Sequence, residues 1–163
     1  MTTKLYHTCT KHILQHLNHP FRLVVACKAA ILEINQYLAG DIEHLTQRMH
    51  RISADEMRTE GALDDAPEIE RSLQTIRAEL NALISRHGPA LQAIGVPINV
   101  LLDRISGAGT GLHDIYRARR LPQEFFYEKW NAFNDVLGAL TTTKRELQAN
   151  LLAAHREMID GTK

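Results

Sequence analysis

The sequence predicts an all-α protein: an elongated antiparallel helical bundle with coiled-coil-like heptad packing, a short N-terminal helix and an irregular helical insert. Three observations carry this. Towards the C-terminus Phe126, Trp130, Phe133, Leu137, Leu140, Lys144, Leu147, Leu151, Ala154 and Met158 recur in alternating steps of four and three residues. That spacing keeps one seam of a helix against a neighbour. A second stripe, Cys27, Ile31, Ile34, Leu38, Ile42, Leu45, Met49 and Ile52, follows nearly the same rule. The third observation is negative: no stretch shows the alternation expected of a half-buried strand.

Taken in order, residues 3–18 read as a short helix with Leu5, Tyr6, Ile13 and Leu17 on one side. Pro20 disfavours helix at His19 and ends it. A long helix is expected over 21–58, about 55 Å at about 1.5 Å per residue. Its stripe doubles a four-residue step at Ile34, Leu38 and Ile42, a stutter that relaxes left-handed supercoiling. Gly40 lies inside the stutter, so a bend or a close backbone approach is expected there. Residues 54–70 carry Asp55, Glu56, Glu60, Asp64, Asp65, Glu68 and Glu70 against Arg58 alone, and read as a solvated connector. A medium helix over 67–87 begins at Pro67 and carries Ile69, Leu73, Ile76, Leu80, Leu83 and His87, with Gly88-Pro89 as its stop.

Gly95-Val96-Pro97 breaks the chain before a short buried helix over 97–106. Residues 106–111, with Gly107, Gly109 and Gly111, read as a flexible turn, and 112–120 as another turn or two of helix. Pro122 opens the last helix, 122–159. The whole, residues 1–163, reads as one domain. The two long helices outrun the medium one, so part of their seams falls to the insert or to a second copy. Lys+Arg and Asp+Glu are 19 each, and a net charge of zero resists self-association little, so a homodimer is expected.

The same charge balance argues against a nucleic-acid partner, which calls for a basic excess. Residues 23–32, the strongest apolar run, are interrupted by Lys28 and too short to span a bilayer. Two cysteines make no disulfide framework, and Lys4, His7, Lys11 and His12 interrupt any signal-peptide core. The expectation is a cytoplasmic protein with no membrane partner.

Candidate chemistry is sparse. Cys9, His12, His16 and His19 share one helical face and are ligand types for zinc or copper. Strung over about 15 Å they cannot converge on one ion, because metal–ligand bonds are about 2 Å long. At most neighbours such as His12 and His16 could share one, with help from another helix; the alternative is ordinary hydrogen bonding at the border of the buried face. The three glycines imitate a phosphate loop, but neither a strand precedes them nor a Lys-Ser/Thr pair follows. No serine lies in a nucleophile-elbow pattern and no triad assembles. No catalytic residue and no cofactor is therefore assigned. Cys27, on the stripe, reads as a small buried hydrophobe. Lys144, at a seam position, reads as a register-setting polar residue or as a lysine whose stem packs while its amine reaches water.

Five aromatics crowd Phe125, Phe126, Tyr127, Trp130 and Phe133. Phe126, Trp130 and Phe133 fit the core stripe, with the insert packed over them; Phe125 and Tyr127 point elsewhere. Arg117, Arg119 and Arg120 form a basic knot alongside, with the acidic connector as an available counter-charge. Aromatic and guanidinium groups dominate interface energetics. Arg117, Arg119, Arg120, Phe125 and Tyr127 are thus the candidates for binding a partner protein. The expected function is a non-catalytic interaction module: a scaffold, adaptor or regulatory bundle. The alternative is a helical sensor that binds a metal or small ligand through the N-terminal His/Cys face or the aromatic insert.

Overall fold

The computed structural model describes residues 20–58 and 66–161; the helix expected at 3–18 lies outside them. Of the described residues 92% are helical and none is in a strand. The helices are α1 Pro20–Tyr37, α2 Glu43–His50, α3 Ala54–Arg58, α4 Ala66–Arg86, α5 Gly88–Ile94, α6 Ile98–Ala118 and α7 Gln123–Gly161, with a π-helical segment, Leu38–Ile42, joining α1 to α2.

The long helix expected over 21–58 is therefore interrupted twice. The first interruption falls on the stutter. A π turn holds more residues than an α turn, so the doubled four-residue step from Ile34 through Leu38 to Ile42 stays on one line, and all three side chains are buried. The buried Thr46 hydroxyl donates to the Ile42 carbonyl at 2.7 Å, supplying a partner where the backbone ladder changes pitch. Gly40 makes no close approach, since a Cβ there would meet nothing within 4 Å. The second interruption, at 51–53, lets α3 turn away. Ser53 Oγ accepts from the Glu56 amide at 3.1 Å, an N-cap, and Met57 is buried. The start of the acidic stretch is thus a packed helix rather than a solvated connector.

Gly88-Pro89 ends α4 and also begins α5, with Pro89 in the first turn, where its missing N–H costs nothing. Gly95, at φ 75°, closes α5 in the left-handed region that favours glycine. The largest departure follows. In place of a short helix over 97–106 and a flexible glycine turn, α6 runs unbroken for 21 residues through Gly107, Gly109 and Gly111. These glycines are where helices approach closely. A Cβ on Gly111 would lie 3.0 Å from Phe133 Cδ2, and one on Gly107 would lie 3.3 Å from Val136 Cγ1, both on α7. A Cβ on Gly109, facing the other way, would lie 3.8 Å from Leu73 Cδ1 on α4. Ala108 between them is fully buried.

So α6 lies between α4 and α7 and packs most extensively on α7, while α1 meets α5 and α7, and α2 meets α4 and α7. The core these helices share runs from Leu23 to Met158. On α7 Phe126, Phe133, Leu137, Leu140, Leu147, Leu151, Ala154 and Met158 are all buried, by α6 over the first part and by α1 and α2 over the rest. The seams left open by the length mismatch of the helices are therefore closed within one chain. A stretch within Arg22–His50 has a mean hydropathy of 1.2 over its best window, enough for a bilayer span by composition alone. A core helix shares that composition, and Cys27, Ile31, Ile34, Leu38 and Ile42 are 0–2% exposed.

Lys144 is the one charged side chain buried on the α7 seam. Its ammonium pairs with the Glu43 carboxylate at the start of α2. Burial holds the Lys144 amine below the ordinary lysine value, and the neighbouring Arg145 charge adds to this. The Glu43 carboxylate beside it works in the opposite direction, favouring the charged amine. The exposures are unequal: 7% for the Lys144 side chain and 38% for Glu43.

Two predictions follow from this packing. Gly111→Leu should destabilise by about 1–3 kcal/mol, because Phe133 is buried and cannot yield. Gly109→Ala, with room and better helix propensity, should stabilise by roughly 0.5–1 kcal/mol; denaturant midpoints decide between this and a flexible turn, where both changes would act alike. Removing either partner of the buried pair should also give unequal results. Glu43→Ala strands a buried ammonium and should cost about 3 kcal/mol. Lys144→Met leaves a carboxylate that water reaches, and should stay within about 1 kcal/mol of wild type.

Candidate functional site

The connection between α6 and α7 gathers the sequence candidates at one end of the fold. The Leu121 amide donates to the Ala118 carbonyl at 3.0 Å, and the Phe125 and Phe126 amides donate to the Pro122 carbonyl at 3.0 and 3.2 Å. Residues 119–122 thus form a tight turn, and the basic knot adjoins this turn rather than a glycine loop. Arg117 and Arg120 are exposed. Arg119 is committed to its own helix: its guanidinium lies 4.1 Å over the Tyr116 ring and donates to the Tyr116 carbonyl at 3.2 Å.

The aromatic group divides. Phe126 and Phe133 are buried, and Trp130 stacks on Phe126 at 6.1 Å between centroids. Tyr127 is half-buried, edge-on to Phe126 at 5.5 Å and packed against the core. Only Phe125 stands out, 56% exposed, with Leu121 beside the turn at 47%. Of the five candidates, then, Arg117, Arg120 and Phe125 present themselves to solvent, while Arg119 and Tyr127 are largely engaged in holding the turn.

Two members of this surface were not singled out from the sequence. Leu121 carried a faint signal, as an apolar residue directly before Pro122. Arg58 carried none beyond being the lone cation in an acidic stretch. It arrives from α3, donates to the Leu121 carbonyl at 3.4 Å and lies 5.4 Å from the Phe126 ring centroid. Arg58 thus stands beside an exposed Leu/Phe pair, with the exposed Arg117 and Arg120 on the segment that leads into it. Asp55, Glu56 and Glu124 are exposed at the same end.

A second polar region lies between α1–α2 and α4. An open cavity of about 510 Å³, lined in part by His44, Arg48, Arg71 and Thr75, shares Asp41 and Glu79 with a neighbour of about 400 Å³. The helices that flank the two cavities are tied together by their own charges. Arg86 Nη1 donates to Glu33 Oε1 at 2.5 Å, and His87 Nε2 lies 2.5 Å from Glu33 Oε2. Tyr37 Oη donates to Glu79 Oε2 at 2.6 Å, and Arg48 lies 3.4 Å from Glu68. Burial, then the hydrogen bond to Glu79 and the charges of Glu79 and Asp41, raise the Tyr37 hydroxyl above its ordinary value. These groups act as struts across the cleft.

Cys9, His12, His16 and His19, the residues of the zinc or copper reading, lie outside the described residues. Among the described residues no group of three or more His, Cys, Asp or Glu side chains is placed to hold an ion. Cys27 is fully buried, its Sγ 3.8 Å from the Ala90 carbonyl oxygen. No family model, curated protein or solved structure matches this chain.

The strut at Glu33 yields a pH prediction. The His87 hydrogen bond is the main influence that lowers the Glu33 carboxyl below its ordinary value of 4.5, with Arg86 assisting and burial opposing. A depressed carboxyl stabilises the fold above the unfolded value and loses that contribution as pH falls through the folded one. Wild type should therefore exceed Glu33→Gln in stability near pH 6, and the gap should close as pH falls below 4.5. Urea midpoints measured between pH 6 and pH 3 check this; a gap that persists at the acid end refutes it.

Proposed function

We propose that this chain is a non-catalytic protein–protein interaction module, a scaffold, adaptor or regulatory bundle, whose working surface is the turn between α6 and α7. The observation that carries the reading is the pair Leu121 and Phe125, 47% and 56% exposed, set among Arg58, Arg117 and Arg120. Large apolar side chains at such exposure are unneeded by a core that closes without them, and Phe and Arg are residue types enriched in interfaces. Self-association into a homodimer belongs to the same reading, supported by the zero net charge. So does an antiparallel, heptad-like course of α6 against α7, supported by the pairs Gly111–Phe133 and Gly107–Val136, whose numbers run in opposite directions.

The test is crosslinking in the native host, with a photoreactive phenylalanine analogue in place of Phe125. The crosslinked protein should be recovered reproducibly and lost when Arg117→Ala and Arg120→Ala are added, with melting unchanged. Light scattering on the purified chain reports whether that partner is a second copy. Recovery that is indifferent to the arginine changes, or none at all, would sink the assignment of this surface.

A further inference from the structure

We infer that the surface of Arg117, Arg120, Leu121 and Phe125 takes an acidic amphipathic segment of another protein, apolar side chains on Leu121 and Phe125 and carboxylates on the guanidinium groups. The inference rests on the interaction reading and adds the chemistry of the partner. Leu121 and Phe125 lie on either side of the Pro122 carbonyl that starts α7, four residues apart, and both are exposed. A helical segment offers apolar groups at matching steps of three and four, with charges on the flanks. The guanidinium fork pairs with a planar carboxylate through two parallel hydrogen bonds. Arg58 is held beside this surface by the Leu121 carbonyl and the Phe126 ring, so one further cation stands pre-positioned. Holding a charge in place before binding reduces the ordering cost of association.

The acids at the same end decide between a narrow segment and a broad anionic surface. Asp55 and Glu56 are exposed on the same short helix as Arg58, and Glu124 is exposed four residues after Arg120. A lipid or nucleic-acid surface meets all of these charges together, and its attraction is largely offset. A single segment places its carboxylates on the arginines and avoids the acids. The zero net charge of the chain points the same way.

The experiment uses the full chain and labelled synthetic peptides of about four helical turns. One carries Leu along one face with Glu on the flanks; a second has Lys for Glu; a third has Ser for Leu. Fluorescence anisotropy should show the first binding about tenfold tighter or more than either control. Arg117→Ala with Arg120→Ala, and separately Phe125→Ser, should each weaken it about tenfold while melting stays unchanged. Equal binding of the three peptides, no binding, or indifference to the variants overturns the inference. So does sedimentation of wild type, but not the arginine variant, with vesicles of phosphatidylglycerol and phosphatidylcholine. The crosslinking experiment separates the two failures. A captured protein whose crosslinked segment is not acidic removes only this inference; capture of nothing removes the interaction reading beneath it.

Discussion

The close approach of α6 to α7 is the constraint on which the rest of the arrangement depends. A side chain at Gly111 would press on Phe133, and one at Gly107 would press on Val136. Removing both lets the two backbones come near enough for Phe126, Phe133 and Leu137 to be buried. Each large apolar side chain so buried contributes about 1.5–3 kcal/mol, more than the roughly 1 kcal/mol that each glycine costs in helix propensity. Because α6 also faces α4 through Gly109 and Leu73, one helix covers the seam of α7 and closes the core with α4.

Those glycines also show where sequence reading stops. Glycine frees the backbone and it shrinks the side chain, and a turn uses the first property while a helix contact uses the second. Three glycines in alternate positions look like a turn when only local preference is weighed. The spacing of Gly107 and Gly111, one helical turn apart with Ala108 buried between, reports the contact once a partner is known. The partner, Phe133, lies 22 positions further on, out of reach of a local rule. By contrast the stripes on α1, α4 and α7 were legible because burial acts at helical spacing on neighbouring turns. Leu73, Leu80, Leu137, Leu147 and Leu151 are buried as the periodicity required. The stutter was legible as one residue too many, but not the means of absorbing it. A gentle unwinding and a π segment satisfy the same spacing, and the structure places the second at Leu38–Ile42.

The exposed surface at the α6–α7 turn was partly legible for the same reason. Arg117, Arg120 and Phe125 are close in sequence, so their clustering needed no fold. Tyr127 looked equivalent to Phe125 in sequence, yet the first packs on the core and the second faces solvent. Position on the helix, set by where α6 lies, separates them. Arg58 is 63 residues from Leu121, and only the turn at 51–53, which sends α3 towards this end, brings the two together.

Position along the bundle explains why the polar features differ in kind. Near the middle of α7, Lys144 is surrounded by buried apolar groups, and its charge is tolerated because Glu43 reaches it from α2. Burying such a pair gains little net stability over apolar packing, but it penalises any register that separates α2 from this point on α7. The π segment immediately precedes Glu43, so the backbone irregularity and the buried ion pair meet at the same place. A one-residue shift of α2 would carry Glu43 about 100° around the helix and away from Lys144. The pair is therefore matched to the π segment at Leu38–Ile42, which sets the angle at which Glu43 leaves the helix. At the α6–α7 turn Arg117 and Arg120 are exposed, where water screens them, while Arg58 and Arg119 are held by the Leu121 and Tyr116 carbonyls. A charge in the first position is tied to the register of the fold; those of Arg117 and Arg120 in the second face solvent.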